Sequence, residues 1–262
     1  MSSPAYDHED DHGRGQRIHN RKFIPCEAIA HLPVEDLITY CNDCGRYYVL
    51  CCSDAHDYWD TGRACHQYKL VFTDGACLNN GRGGARAGIG GIAGLPLLDQ
   101  AYEDDPPMSW SVPVDDSVDT NPDARRSSQR AELLAAIEGL KRVEELERAG
   151  DEPGALVRLP RRHGERRERN LWILATDSEY VAKGMTEWFP TWESNNWRTA
   201  AGKRPSNLDL FLKLDEVIKG VERRRAVQVG FWRIPREHNR EADGLAGAAA
   251  RRALPSEAPV EV

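Results

Sequence analysis

Four carboxylates in this 262-residue chain stand at the joints between elements: Asp74 after the strand-like run 69–73, Glu132 early in a helical stretch over 127–149, Asp177 after the apolar run 171–175, and Asp243 early in a helix over 239–252. Oxygen donors of this kind can gather hard divalent cations such as Mg²⁺. Each acid also has a plain structural alternative. Asp74-Gly75 suits a turn, Asp177 an N-cap, Glu132 a favourable charge near a helix N-terminus, and Asp243 a solvated surface position.

A second set of candidate ligands lies near the N-terminus. Of seven cysteines, Cys26, Cys41, Cys44, Cys51, Cys52 and Cys65 precede residue 70, and only Cys77 follows. Cys41-x-x-Cys44, then Cys51-Cys52, then Cys65-His66 with His56 between, supply enough thiolate and imidazole donors for one tetrahedral Zn²⁺, with Cys41 and Cys44 as the leading ligands. Buried free thiols in a reducing compartment and disulfides in an oxidising one are the alternatives. The asymmetry marks residues 21–67 as a small Cys-rich N-terminal module behind a polar tail, 1–20, that reads as disordered. Because the four acids all lie beyond that module, some activity is expected to survive its removal, provided the strand at Leu70 is left whole.

The elements that must position the acids follow from periodicity. Strands are predicted at 69–73 and 88–93, then a helix over 127–149 closed by Gly150, with Leu133, Leu134, Ile137, Leu140, Val143 and Leu146 at helical spacing. The run 171–175 reads as a buried strand feeding a helix capped by Asp177 or Ser178. Helices over 207–223 and 239–252 flank a strand over 226–234, and 255–262 is a tail. Strands first, then strands alternating with helices, predict an α/β layer fold for 68–254.

Composition bounds the rest. With 40% hydrophobic and 29% charged residues the chain can build a core, yet it holds no apolar run near the roughly 20 residues that span a bilayer. Membrane insertion is therefore not expected. The N-terminus lacks the basic start and apolar stretch of a secretory signal, so an intracellular, nuclear or cytoplasmic location is expected, with a mitochondrial one still open. The net charge of −7 hides a local excess: the stretch 96–124 carries eight acids and no Lys or Arg, and the remainder of the chain is at +1. That acidic insert reads as a flexible excursion, with Ser109-Trp110-Ser111-Val112 as an alternative strand. The basic run Arg158, Arg161, Arg162, Arg166, Arg167 and Arg169, broken by Pro160 and Gly164, reads as a solvated loop.

The contexts of the four acids are more specific than the acids themselves. Thr73-Asp74-Gly75-Ala76-Cys77, Gln129-Arg130-Ala131-Glu132-Leu133, Ala175-Thr176-Asp177-Ser178-Glu179 and Asn239-Arg240-Glu241-Ala242-Asp243-Gly244 resemble, in order and context, the motifs of ribonuclease H of type 1. The resemblance runs from about residue 69 to 252. It implies a five-stranded mixed sheet flanked by helices and hydrolysis of the RNA strand of RNA–DNA hybrids. It also implies two Mg²⁺ ions, replaceable by Mn²⁺, and products with 5′-phosphate and 3′-hydroxyl ends. Asp74 would bridge both ions, Asp243 would hold the nucleophile side, and Glu132 and Asp177 the leaving-group side. Asn79, Asn80, Ser128 and Gln129 would feel the RNA 2′-hydroxyls, while Arg125, Ser127 and Asn207 would grip a phosphate of the DNA strand. Trp188, Trp192, Trp197, Arg198, Lys203 and Arg204 resemble the family's substrate-binding projection, with core packing as the tryptophans' alternative role. His238 stands in a shortened version of the loop that carries a histidine in many relatives. The competing expectation is a scaffold of this fold that binds nucleic acid or protein with weak or no nuclease activity. A monomer is expected.

Overall fold

The computed structural model describes residues 17–51, 66–80, 82–95, 107–121, 124–151 and 170–255. Among these are nine strands: β1 (Arg17–His19), β2 (Lys22–Ile24), β3 (Ile38–Tyr40), β4 (Tyr47–Val49), β5 (Tyr68–Leu78), β6 (Arg86–Ile92), β7 (Ser109–Pro113), β8 (Leu171–Thr176) and β9 (Gln228–Arg233). The helices are α1 (Val34–Leu37), α2 (Ser128–Asp151), α3 (Glu179–Lys183), α4 (Phe189–Ser194), α5 (Leu208–Arg225) and α6 (Arg240–Arg252). A π-helical turn, Gly184–Trp188, joins α3 to α4.

Every residue of β8 is buried because it lies between two parallel neighbours, β5 and β9, under two covered faces. On its other edge β5 pairs antiparallel with β6, and β6 with β7. The order β7-β6-β5-β8-β9 is the expected five-stranded mixed sheet. No described helix is long and apolar enough to cross a membrane.

The N-terminal segment joins this sheet instead of forming a module beside it. The β1–β2 hairpin docks on β9, where Lys22 is in register with Phe231 and Arg21 O accepts from Phe231 N–H at 2.7 Å. The β3–β4 hairpin docks on the start of β5, with Tyr48 opposite Lys69, and Tyr47 N–H donates to Ala93 O at 2.9 Å. Two cores result from the alternation of side chains across the strands. Val71, Trp172, Leu174, Val229 and Phe231 face α2 and α5; Leu70, Phe72, Ile173, Trp232 and Ile234 face Phe23, Ile29, Leu37, Val49 and Leu50. This docking is not legible in the sequence, because the strands between residues 17 and 49 are three residues each and too short to show a period.

The acidic insert is also corrected over its described part, 107–121. Ser109–Pro113 pairs with β6 as β7, Val114 is buried, and Asp119 is buried in a charge network. Arg130, on the first turn of α2, donates to both oxygens of Asp119 (2.8 and 2.6 Å) and both of Asp209 (3.1 and 2.9 Å). Asn121 Nδ2 adds a bond to Asp209 Oδ2 at 2.9 Å. The excess acid is thus in part an internal counter-ion, and it ties the insert to α2 and α5. Arg130→Met is expected to cost about 3–5 kcal/mol in denaturant unfolding, because it leaves buried carboxylate uncompensated. A loss below about 1 kcal/mol would show that the network contributes little. Residues 96–106, the basic run at 158–169 and both tail ends lie outside the described residues.

Candidate active site

Asp74 lies within β5, opposite Gly90 of β6, and not at a strand end as the sequence suggested. The chain runs straight through Asp74-Gly75 because the glycine serves close approach. A Cβ at Gly75 would stand 2.1 Å from the Ala131 carbonyl carbon and 2.2 Å from Glu132 N. Helix α2 therefore packs its first turn directly on β5 and brings Glu132 beside Asp74. Helix α6 approaches in the same way. Ala242, Ala246, Ala249 and Ala250 are fully buried, and a Cβ at Gly90 would meet Ala246 N at 2.4 Å. This small-residue contact carries Asp243, in the first turn of α6, to the same end of the sheet. Asp177 follows β8 at that end, and Ser178, the second of the two candidates, is the N-cap of α3, its side chain accepting from Val181 N–H.

The four predicted acids therefore converge. Burial pushes the Asp74 carboxyl up to about 8, helped by the negative charges of Asp177, Asp243 and Glu132. Glu132 is also raised, chiefly by burial and further by Asp177, while the hydrogen bond from Ser178 Oγ opposes the shift. Such a site holds more negative charge than its surroundings can neutralise, which is the condition that divalent cations with oxygen ligands relieve. The donor set, four carboxylates without thiolate or imidazole, fits Mg²⁺ or Mn²⁺.

Three neighbours whose contacts with the acids the sequence did not reveal hold them in place. Asn239 Nδ2 donates to Asp177 Oδ1 at 2.7 Å and to Thr73 O at 3.2 Å, linking β5 to the acid after β8. Ser178 orients Glu132. Arg236 donates to Asp243 Oδ1 at 2.6 Å and lies 4.0 Å from Asp177 Oδ2, a cation spanning two of the acids from an exposed position. A residue known only from its place in a motif does not announce which partner it will meet.

The other candidates fall into distinct places. Asn79, at positive φ, and Gln129 are exposed on the rim; Asn80 Oδ1 accepts from Ser128 N–H at 3.0 Å and so caps α2. Ser127 Oγ accepts from Arg130 N–H at 3.3 Å, and Asn207, in the left-handed region, accepts from Arg130 at 3.4 Å and donates to Tyr180 Oη at 3.0 Å. Ser127 and Asn207 are thereby joined through Arg130, with Arg125 exposed nearby in the chain. Trp192 is buried and Trp188 and Trp197 pack against the first core, so the tryptophans serve largely as core. Trp197 also lines a shallow groove with Arg198 and Arg204. His238 lies in a 3₁₀ turn with Nε2 3.5 Å from Glu35 of α1. Among the cysteines, Cys41 and Cys44 come together with His66, whereas Cys51 is buried in the second core outside that group, and Cys52 and Cys65 lie outside the described residues. Cys51, two residues past the end of β4, is buried in that core.

Known proteins share this arrangement of sequence. Ribonuclease H1 of Mus musculus is 28% identical over 196 residues, covering 73% of this chain and 53% of that protein. Ribonuclease H of Pseudomonas paraeruginosa (strain DSM 24068 / PA7) is 33% identical over 182 residues, covering 68% and 89% respectively. The chain spans about half the length of the mammalian relatives it matches. A crystal structure of LC9-RNase H1 overlaps 72% of this chain and 75% of its own at 22% identity, with a TM-score of 0.42. The family model for RNase H matches residues 66–251, a span that takes in all four converging acids and the five central strands, and the chain belongs to the ribonuclease H family.

Proposed function

We propose that this protein is a metal-dependent endonuclease that hydrolyses the RNA strand of RNA–DNA hybrids. The observation that carries the reading is the convergence of Asp74, Glu132, Asp177 and Asp243, with Asp74 held protonated up to about pH 8 by burial and by the other three. These four would hold two Mg²⁺ ions. Bound there, the ions supply Lewis-acid stabilisation of the charge that develops at the scissile phosphate and make water a better nucleophile.

The chain's own groups do the positioning. Ser178 and Asn239 fix the orientations of Glu132 and Asp177 through their hydrogen bonds. Arg236 offsets charge at Asp177 and Asp243, and its exposure lets it withdraw when cations enter. Exposed Asn79 and Gln129 on the rim would meet RNA 2′-hydroxyls, Asn80 and Ser128 would present the capped turn beneath them, and Arg125, Ser127 and Asn207 would seat a DNA phosphate. Trp197 with Arg198 and Arg204 would add a stacking face and cations farther along. His238 would carry a proton during turnover, released from Glu35. The reading also includes one structural Zn²⁺ at the N-terminal cysteines, apart from catalysis.

A labelled RNA–DNA hybrid incubated with the full chain and Mg²⁺ or Mn²⁺ should yield fragments with 5′-phosphate and 3′-hydroxyl ends, and a chelator should abolish cleavage. Stable binding of the hybrid without cleavage by metal-replete protein would instead establish the scaffold role.

A further inference from the structure

We infer that Cys41, Cys44 and His66 form a Zn²⁺ site that pins the β3–β4 hairpin to the start of β5. This deepens the zinc element of the proposed function and stands or falls apart from the nuclease. The three donor atoms lie within 4.8 Å of one another. His66 Nε2 is 3.3 Å from Cys41 Sγ and 3.7 Å from Cys44 Sγ. A tetrahedral ion with ordinary Zn–S and Zn–N bonds sets its sulfur and nitrogen ligands about 3.6 Å apart, so a small adjustment seats it. The donors come from segments far apart in sequence: two thiols from the turn between β3 and β4, and an imidazole two residues before β5.

The loop aims backbone N–H groups at both sulfurs. Cys41 Sγ accepts from the backbone N–H groups of Asp43 and Cys44, and Cys44 Sγ from that of Arg46. This requires a tight reversal, which Gly45 supplies at φ 69° while its N–H bonds Cys41 O at 2.8 Å. Behind the donors, Tyr48 does two things. Its ring stacks on His66, centroids 4.6 Å apart and planes 9° apart, and its hydroxyl lies 3.3 Å from Cys44 Sγ. Partners behind metal ligands orient them and tune their basicity in this way. Two thiolates and one imidazole are soft and borderline donors that select Zn²⁺ over Mg²⁺, so the two metal centres would not compete. The group has three members among the described residues, and a water would take the fourth tetrahedral position.

The hairpin so fixed carries Val49 and Leu50 into the second core and Arg46 to Glu147 and Leu146 O of α2. Loss of the ion should therefore loosen one whole face of the sheet.

The test uses the full chain purified without chelator. Metal analysis should give about one Zn²⁺ per chain, unchanged in Asp74→Asn and lost in Cys41→Ser/Cys44→Ser. Since the double variant could fail to fold, wild-type protein stripped of metal and refilled with Co²⁺ provides a second measurement. It should show thiolate charge-transfer absorption and the intense visible bands of a tetrahedral site, and its melting temperature should recover on adding Zn²⁺. Tyr48→Phe should keep the fold and weaken Zn²⁺ binding by about 10–100-fold. A Cys41–Cys44 disulfide in protein kept under reductant, or Co²⁺ spectra without thiolate bands, would overturn the site. Cleavage of hybrid does not enter either measurement, so the nuclease can fail without affecting this result.

Discussion

Asp74→Asn should abolish hybrid cleavage and, at the same time, stabilise the metal-free protein. The substitution keeps the shape and removes the buried carboxylate on which the charges of the other three act. Replacing a residue behind metal ligands typically costs 10–100-fold, so loss of the central ligand should cost on the order of 10³-fold or more. The stability effect follows from linkage. In the fold the Asp74 carboxyl titrates at about 8, against an ordinary aspartate value of 3.8. Below the lower value both folded and unfolded chains are protonated there, and no penalty arises. As pH rises from there toward about 8, the unfolded chain gives up its proton while the folded chain keeps it, so folding stability falls throughout that window.

Chelated wild-type protein should accordingly melt several degrees lower at about pH 8 than at about pH 5.5. The Asp74→Asn protein should lack most of that slope, and Mg²⁺ should restore wild-type melting at the higher pH. Glu144, held below its ordinary range by Arg224, and Asp209, held below it by Arg130 against the effect of its burial, add stability as pH rises only through the ordinary carboxylate range, which lies below the interval from about 5.5 to about 8. Equal pH slopes in the two chelated proteins would show that Asp74 is not a buried acid crowded by the other three. Retained cleavage would remove it from the metal site.

Deleting residues 1–65 should destroy cooperative folding, contrary to the expectation from the sequence that activity would survive. The deletion removes β1 to β4 and α1, and with them Phe23, Ile29, Leu37, Val49 and Leu50, all buried against the second face of the sheet. Each such side chain contributes about 1.5–3 kcal/mol on burial, and five together rival the about 5–15 kcal/mol by which a whole domain is stable. Phe72, Ile173, Trp232 and Ile234 would also be laid open to water. The truncated protein should bind a hydrophobic dye, lose its sharp melting transition and show no hybrid cleavage. A truncated chain that melts cooperatively near the full-length temperature would prove the N-terminal layer dispensable.

What could be read in the sequence depended on how local the determining physics was. Long periodic elements were legible: the helices expected at 207–223 and 239–252 are Leu208–Arg225 and Arg240–Arg252, and the run at 171–175 is the central strand Leu171–Thr176. In each of them a single pattern repeats enough times to fix type and face. The four acids were legible through their motif contexts, although each alone had a dull explanation. The tertiary structure decided everything that required two distant segments to touch. That Asp74-Gly75 continues a strand depends on the first turn of α2 filling the space above Gly75. Arg236 and Asn239 gain their roles from the acids that meet them across the sheet ends. Asp119 changes from surplus surface charge to buried partner once Arg130 is opposite it. The three-residue N-terminal strands carry too little pattern to reveal their pairing, and only the exposed edges and bare face of the central sheet give them a place to bind.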